Sequence, residues 1–284
     1  MDHQVKLANG DIVPALGLGT WYLGDSQASR AKEIEALRSG IDAGMTLIDT
    51  AEMYGSGRSE KLVGEAIAPY DREKLFVVSK VLPGNAGRRN MVSSLNASLK
   101  RLGTDYLDLY LYHWRGSIPL SETVDCLEGL RKEGRIRAWG VSNFDIDDME
   151  ELFHIRGGRN CQVNQVLYHA GSRGIEYSLL PWMRENGVAL MSYCPLAQAG
   201  SLRKGLFTNP VLQEIAAAHN CDVTQVLLSW NIRDGHTIAI PRSGSRAHTL
   251  LNAGADKVTL TSEELARIDK VYPAPGRKIY LDMQ

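Results

Sequence analysis

Thr46-Leu47-Ile48-Asp49-Thr50-Ala51-Glu52-Met53-Tyr54-Gly55 begins as a buried strand and ends as a polar loop. The apolar run from Met45 to Ile48 reads as the strand, with Asp49 at its C-terminal end. A carboxylate there is costly to bury unless something pairs with it. Two partners of suitable chemistry follow in the chain, Lys80 and His113, and each also closes an apolar strand. Tyr54 comes shortly after Asp49, in a Gly/Ser loop.

The same strand-then-helix pattern extends in both directions. Strands are expected at 16–21, 47–48, 75–79, 107–111, 136–141, 161–166, 188–193 and 237–240. Apolar residues at helical spacing mark helices at 31–43, 60–67, 91–102, 123–132, 147–154, 177–185 and 223–232, with two more at 247–253 and 262–271. A longer insert separates the strand at 188–193 from the helix at 223–232. Strand–helix alternation requires parallel strands joined by right-handed crossovers. Eight such units in a chain of 284 residues favour a closed (β/α)8 barrel of TIM type over an open doubly wound sheet. Upstream, Asn9-Gly10 between two apolar runs is a strong hairpin signal, and Pro14 blocks further pairing. The hairpin is expected to plug the N-terminal mouth of the barrel. With no linker or low-complexity segment, residues 1–284 read as a single domain.

Composition narrows the function. A net charge of −1 gives no electrostatic argument for nucleic acid or an anionic membrane. No apolar run approaches the roughly 20 residues of a membrane helix, and the N-terminus shows no secretory signal. Cys126, Cys161, Cys194 and Cys221 are widely spaced, which argues against a disulfide framework or zinc knuckle and fits a reducing, cytoplasmic setting. No metal cluster is expected, because His113 has no neighbour at ligand spacing.

In a barrel of this kind the C-terminal strand ends form the active face. They carry Trp21, Asp49, Lys80, His113-Trp114, Ser142-Asn143, Gln165, Tyr193 and Pro241-Arg242-Ser243. Taken singly, Lys80 reads as a solvated loop residue, His113 as a structural histidine and Tyr54 as a surface ring. Taken together, one barrel rim brings them within side-chain reach. An ordinary phenol, with a pKa of about 10, holds its proton too tightly for easy transfer. A neighbouring buried ammonium favours the phenolate. Asp49 would keep Lys80 charged, Lys80 would acidify Tyr54, and a neutral His113 would orient a carbonyl oxygen. Gly17-Leu18-Gly19 and Gly55-Ser56-Gly57 do not complete a dinucleotide GxGxxG, and both read as tight turns.

Several segments resemble the aldo-keto reductase superfamily: Leu47-Ile48-Asp49-Thr50-Ala51 with Tyr54-Gly55, Val78-Ser79-Lys80, Asp108 to Trp114, Gly140-Val141-Ser142-Asn143-Phe144, Asn164-Gln165, Tyr193 to Ala197, and Ile240-Pro241-Arg242-Ser243. The likeness spans the chain and is strongest to bacterial reductases of methylglyoxal and other small aldehydes. It implies a catalytic tetrad of Asp49, Tyr54, Lys80 and His113, with Tyr54 as proton donor to a carbonyl. It also implies NADPH lying across the barrel mouth. Tyr193 would stack on the nicotinamide, and Ser142, Asn143 and Gln165 would bind its carboxamide. Trp21, Asp49, Pro195 and Leu196 would line the ribose and pyrophosphate path. At the far end Ile240, Arg242, Ser243, His248 and Asn252 would hold the adenosine 2′-phosphate region. Arg242 stands where the family commonly has Lys, His248 where many members have Arg, and Cys194 where Ser is usual.

Trp21, Tyr22, Tyr54, His113 and Trp114 would ring the substrate, with Leu281 and Met283 closing one side. The partner implied is a small carbonyl compound, and the protein would be a monomer. Two rivals stand beside this reading: a lyase using Lys80 as a Schiff-base nucleophile, and a cofactor-binding regulatory subunit without turnover.

Overall fold

The computed structural model describes residues 1–197 and 200–284. Eight strands form one all-parallel sheet in sequence order: β3 (Leu18–Gly19), β4 (Leu47–Asp49), β5 (Phe76–Val81), β6 (Leu107–Tyr112), β7 (Ile136–Ser142), β8 (Val163–Leu167), β9 (Ala189–Tyr193) and β10 (Thr237–Ala239). The sheet closes on itself between its first and last strands. Gly17 donates to the Ala239 carbonyl at 2.8 Å, Ala239 donates to the Ala15 carbonyl at 2.8 Å, and Gly19 donates to the Pro241 carbonyl at 3.1 Å.

This seam corrects the expectation that Gly17-Leu18-Gly19 is a tight turn. Neither glycine has a left-handed backbone. A β-carbon at Gly19 would lie 2.6 Å from the Ile240 carbonyl oxygen, and one at Gly17 2.6 Å from a Leu47 methyl. Gly19 lets two backbones meet at the seam, and Gly17 leaves room for the Leu47 side chain; neither is there because the chain reverses.

The antiparallel hairpin is present as β1 (Gln4–Lys6) and β2 (Ile12–Pro14). Val5, Leu7 and Val13 turn inward and are buried, whereas Ile12 faces solvent. The Asn9 amide donates to Gln162 Oε1 at 2.8 Å, next to the start of β8. The hairpin thus lies against the N-terminal strand ends, opposite the rim that carries the polar residues.

Helices separate the strands: α1 (Arg30–Asp42), α2 (Arg58–Ile67), α3 (Met91–Leu102), α4 (Leu120–Lys132), α5 (Ile146–His154) and α6 (Leu179–Glu185). The insert after β9 contains α7 (Gly200–Phe207) and α8 (Pro210–Ala218), and α9 (Val223–Ile232) precedes β10. The chain closes with α10 (Arg246–Ala253) and α11 (Ser262–Val271). α2 turns an apolar stripe of Leu62, Val63, Ala66 and Ile67 inward, and α3 does the same with Met91, Leu95, Leu99 and Leu102. Every residue of β6 is buried, as expected for a strand enclosed on both faces. A continuous apolar cluster runs from Val5 to Ile268.

Candidate active site

Strand geometry puts the polar residues together. Asp49 ends β4, Lys80 is the penultimate residue of β5, His113 follows β6, Ser142 ends β7 and Tyr193 ends β9. Tyr54 opens a tight turn, Tyr54–Gly57, in which Gly55, Ser56 and Gly57 have left-handed backbones and which leads directly into α2. The residues lie at one rim because all eight strands point the same way.

Lys80 is the centre of the cluster and is completely buried. Its ammonium donates to both Asp49 carboxylate oxygens at 2.8 and 2.7 Å, to the Thr50 carbonyl at 2.9 Å, and to the Tyr54 hydroxyl at 3.1 Å. Asp49 accepts a further bond from Gln165 Nε2 at 2.8 Å. Its backbone is pinned by the Thr20 hydroxyl, which donates to the Asp49 carbonyl at 2.9 Å. A buried ion pair survives when its geometry is good and its remaining bonding capacity is filled; both conditions hold here.

Burial governs the proton affinities. It raises the Tyr54 phenol well above its ordinary value, with the Asp49 carboxylate adding to the effect. It presses the Lys80 amine below the usual lysine range, against the opposing pull of Asp49. The acidified phenol expected from the ammonium alone is therefore not the net result. The ammonium 3.1 Å away favours the phenolate, but desolvation outweighs it. A phenol in this state keeps its proton until a stronger base forms beside it. His113 is pushed down to about 2, first by burial and then by the Lys80 charge, so its imidazole is neutral. Its ring lies 5.9 Å from that of Tyr54, edge-on, and its Nδ1 is buried without a hydrogen-bond partner.

From this cluster a cavity of about 780 Å³ extends outward along the rim. Asp49, Tyr54, His113, Trp21, Tyr22, Ser142, Asn143, Gln165 and Tyr193 line its inner part, and Pro195, Leu196, Ile240, Arg242, Ser243, His248 and Asn252 also line it. Lys80 stands behind the wall, and Trp114 reaches the site through His113, with ring centroids 4.7 Å apart. Trp21 stacks on Tyr22 at 4.6 Å and on Tyr54 at 6.3 Å. Inside the cavity the polar groups interlock. The Tyr193 hydroxyl donates to Asn143 Oδ1 at 2.9 Å, Asn143 Nδ2 donates to the His113 carbonyl at 3.2 Å, and the Ser142 hydroxyl donates to the Gln165 carbonyl at 2.8 Å.

At the outer end Arg242 is turned toward protein. Its Nε donates to the Trp21 carbonyl at 3.1 Å, and Nη2 reaches the Tyr22 carbonyl at 3.5 Å. Ser243 is likewise folded back, donating to the Ser245 carbonyl at 3.0 Å.

Residues that the sequence did not single out also line the cavity. Arg203 and Phe207 come from α7, Asp222 and Thr224 from the start of α9, and Gln284 from the tail. Arg203 donates to the Leu196 and Ala197 carbonyls at 2.9 and 3.2 Å, which folds the segment after β9 over the rim. The tail contributes Gln284 rather than Leu281 or Met283 to the lining. Among the described residues, no group of three His, Cys, Asp or Glu side chains is placed to hold a metal ion.

The profile of the Aldo/keto reductase family matches residues 15–273. The chain belongs to this family. It is 54% identical to the methylglyoxal reductase YeaE of Escherichia coli K12 over 284 residues, covering 100% of both chains. It is 36% identical to the glyoxal reductase of Bacillus subtilis strain 168 over 288 residues, covering 99% of each. Among solved structures, the aldo/keto reductase of Klebsiella pneumoniae in complex with NADP and acetate superposes with a TM-score of 0.97 at 50% identity, covering 100% of both chains. The (β/α)8 barrel and its hairpin are thus those of the family.

Proposed function

We propose that this protein reduces the carbonyl group of small aldehydes and dicarbonyls, methylglyoxal among them, to an alcohol, with NADPH as reductant and Tyr54 as proton donor. The observation that carries the reading is the Lys80 ammonium, bonded at once to both oxygens of Asp49 and to the Tyr54 hydroxyl at the inner end of the cavity. The resemblance of the whole chain to reductases of methylglyoxal and glyoxal, and to a structure holding NADP, supports the same reading.

The residues along the cavity fit an extended dinucleotide. Amide and hydroxyl groups of Ser142, Asn143 and Gln165 stand at the inner part with the Tyr193 ring, while Arg242, Ser243, His248 and Asn252 supply a cation and hydrogen-bonding groups for a phosphate-bearing adenosine. When bound, the cofactor supplies hydride to the carbonyl carbon. The protein's own groups act on the oxygen. Neutral His113 donates a hydrogen bond that orients the carbonyl. As negative charge builds on that oxygen, Tyr54 gives up its proton, and the nearby ammonium stabilises the phenolate left behind. Asp49 holds Lys80 charged throughout.

The lyase rival loses support at Lys80. An amine fully buried and bonded to two carboxylate oxygens is protonated and has no free lone pair with which to attack a carbonyl. The reading also assigns the protein to the cytoplasm as a monomer acting on a diffusible substrate. No described helix is long and apolar enough to cross a membrane.

The test is a panel of small aldehydes and ketones offered with NADPH and with NADH, followed by loss of reduced-nicotinamide absorbance. Turnover of methylglyoxal with NADPH is expected. A protein that binds NADPH yet turns over no carbonyl would be a regulatory subunit instead.

A further inference from the structure

Glu60 is a completely buried acid that the mechanism above does not use. It lies on α2, outside the barrel wall. Its Oε1 accepts from the Ser79 hydroxyl at 2.6 Å, and its Oε2 accepts from Arg101 Nε at 2.5 Å. Ser79 is the residue before Lys80 on β5, and successive strand residues face opposite sides, so the acid grips the back of the strand whose front carries the ammonium. Arg101, at the end of α3, lies against Gly57. A β-carbon at Gly57 would come within 2.6 Å of Arg101 Cδ and Nε, and the residue has a left-handed backbone with φ +86°. Gly57 ends the turn that Tyr54 begins.

These contacts close a circuit. Tyr54 leads through its turn to Gly57 and α2, α2 carries Glu60, Glu60 holds Ser79, and Lys80 returns to the Tyr54 hydroxyl at 3.1 Å. Replacing a buried ion pair by well-packed apolar side chains is often neutral or stabilising, so stability is a poor reason to keep Glu60 and Arg101 here. What an apolar pair cannot do is tie one helix to a strand and a turn through directed bonds.

We propose that Glu60 is a positioning residue for proton transfer, holding the Tyr54 turn and the Lys80 strand in one register so that phenol and ammonium stay in contact. The negative charge of Glu60 also favours the ammonium form of Lys80, against the burial that weakens it. This inference rests on the reading of Tyr54 and Lys80 as the proton-donating pair, and the test separates the two.

Parent, Glu60→Ala, Glu60→Gln, Tyr54→Phe and Asp108→Asn proteins are compared in methylglyoxal reduction. NADPH affinity is read from tryptophan quenching, and stability from thermal melting. Asp108→Asn is the control for generic damage, because it breaks the equally buried Arg72–Asp108 pair at 2.7 Å on a residue with no part in the site. Glu60→Ala should lower kcat at least tenfold while KM and the NADPH Kd stay within about threefold. Glu60→Gln, which still accepts from Ser79, should recover most of kcat, and Asp108→Asn should keep it within twofold despite a lower Tm. The inference is overturned if Glu60→Ala keeps kcat within twofold while Tyr54→Phe is inactive, or if kcat simply follows Tm across the set. A fully active Tyr54→Phe would instead overturn the reading of the site, and the inference with it. Should Glu60→Ala not fold, Ser79→Ala carries the test: a three- to tenfold lower kcat is expected, and an unchanged one overturns the proposal.

Discussion

The inner and outer ends of the cavity are built differently. At the inner end Asp49, Lys80 and His113 are buried on or next to strand ends, and the Lys80 ammonium bonds Asp49 from the neighbouring strand. At the outer end Arg242 is exposed and spends its guanidinium on the carbonyls of Trp21 and Tyr22, and Ser243 bonds within its own loop. The first region is set before any ligand arrives, as chemistry on a carbonyl requires. The second holds its polar groups in contacts that a phosphate can compete with. Placement by strands makes for fixed geometry, whereas placement by loops leaves room for adjustment.

The contrast predicts effects of different kind and size. The largest belongs to the inner end. Lys80→Met removes the ammonium and strands a buried carboxylate. It should lower kcat by about a hundredfold to ten-thousandfold and destabilise the fold by about 3–5 kcal/mol, read from turnover and urea unfolding. A stable, active Lys80→Met protein would erase the distinction between the two ends.

At the outer end the expected change is in binding, not chemistry. Arg242→Met should remove one charge-assisted bond of about 1.5–3 kcal/mol. That weakens NADPH by about tenfold to a hundredfold and leaves NADH nearly untouched, with kcat at saturation preserved. Equal weakening of both cofactors would mean that Arg242 braces the Trp21–Tyr22 turn instead of reading a phosphate.

The smallest effect concerns acid stability. The folded pKa of His113 lies near 2, below the ordinary histidine value of 6.5, so the native state resists the proton that the unfolded chain accepts. The stabilisation is full above pH 6.5 and is lost as the pH falls toward 2. Between pH 7 and pH 5 the loss at this one residue amounts to about 2 kcal/mol. His113→Phe should lose correspondingly less over that interval in urea titrations. His169, lowered by burial to about 4, continues to contribute to the remaining slope.

The inner end was also the legible one. Asp49, Lys80 and His113 sit where the strand pattern puts them, and Tyr54 in the loop that follows the first of these strands, because a parallel barrel turns a repeating pattern into a single rim. The helix at 91–102 was bounded to the residue, its period being clear and Gly103 ending it with a left-handed backbone. What escaped depends on contacts between distant segments. Gly17 and Gly19 look like turn residues until the seam with Ile240 is known. The helices in the insert were missed, although Asn209-Pro210 is a strong helix start whose side chain caps α8. Tyr22, Cys194 and Ala197 adopt left-handed backbones around the cavity, and nothing in those residue types announces it, whereas Asn143, which does so too, is of a type that tolerates the conformation. Nor does local sequence show that desolvation at Tyr54 exceeds the pull of its neighbouring ammonium.

The most direct measurement is single-turnover reduction of methylglyoxal by the Tyr54→Phe protein loaded with NADPH at neutral pH, with cofactor affinity measured in parallel by tryptophan quenching. A loss of at least about a hundredfold in rate, with NADPH still bound as tightly as by the parent, is the predicted result. Reduction at the parental rate would contradict the account, because the proton would then come from somewhere other than the phenol beside Lys80.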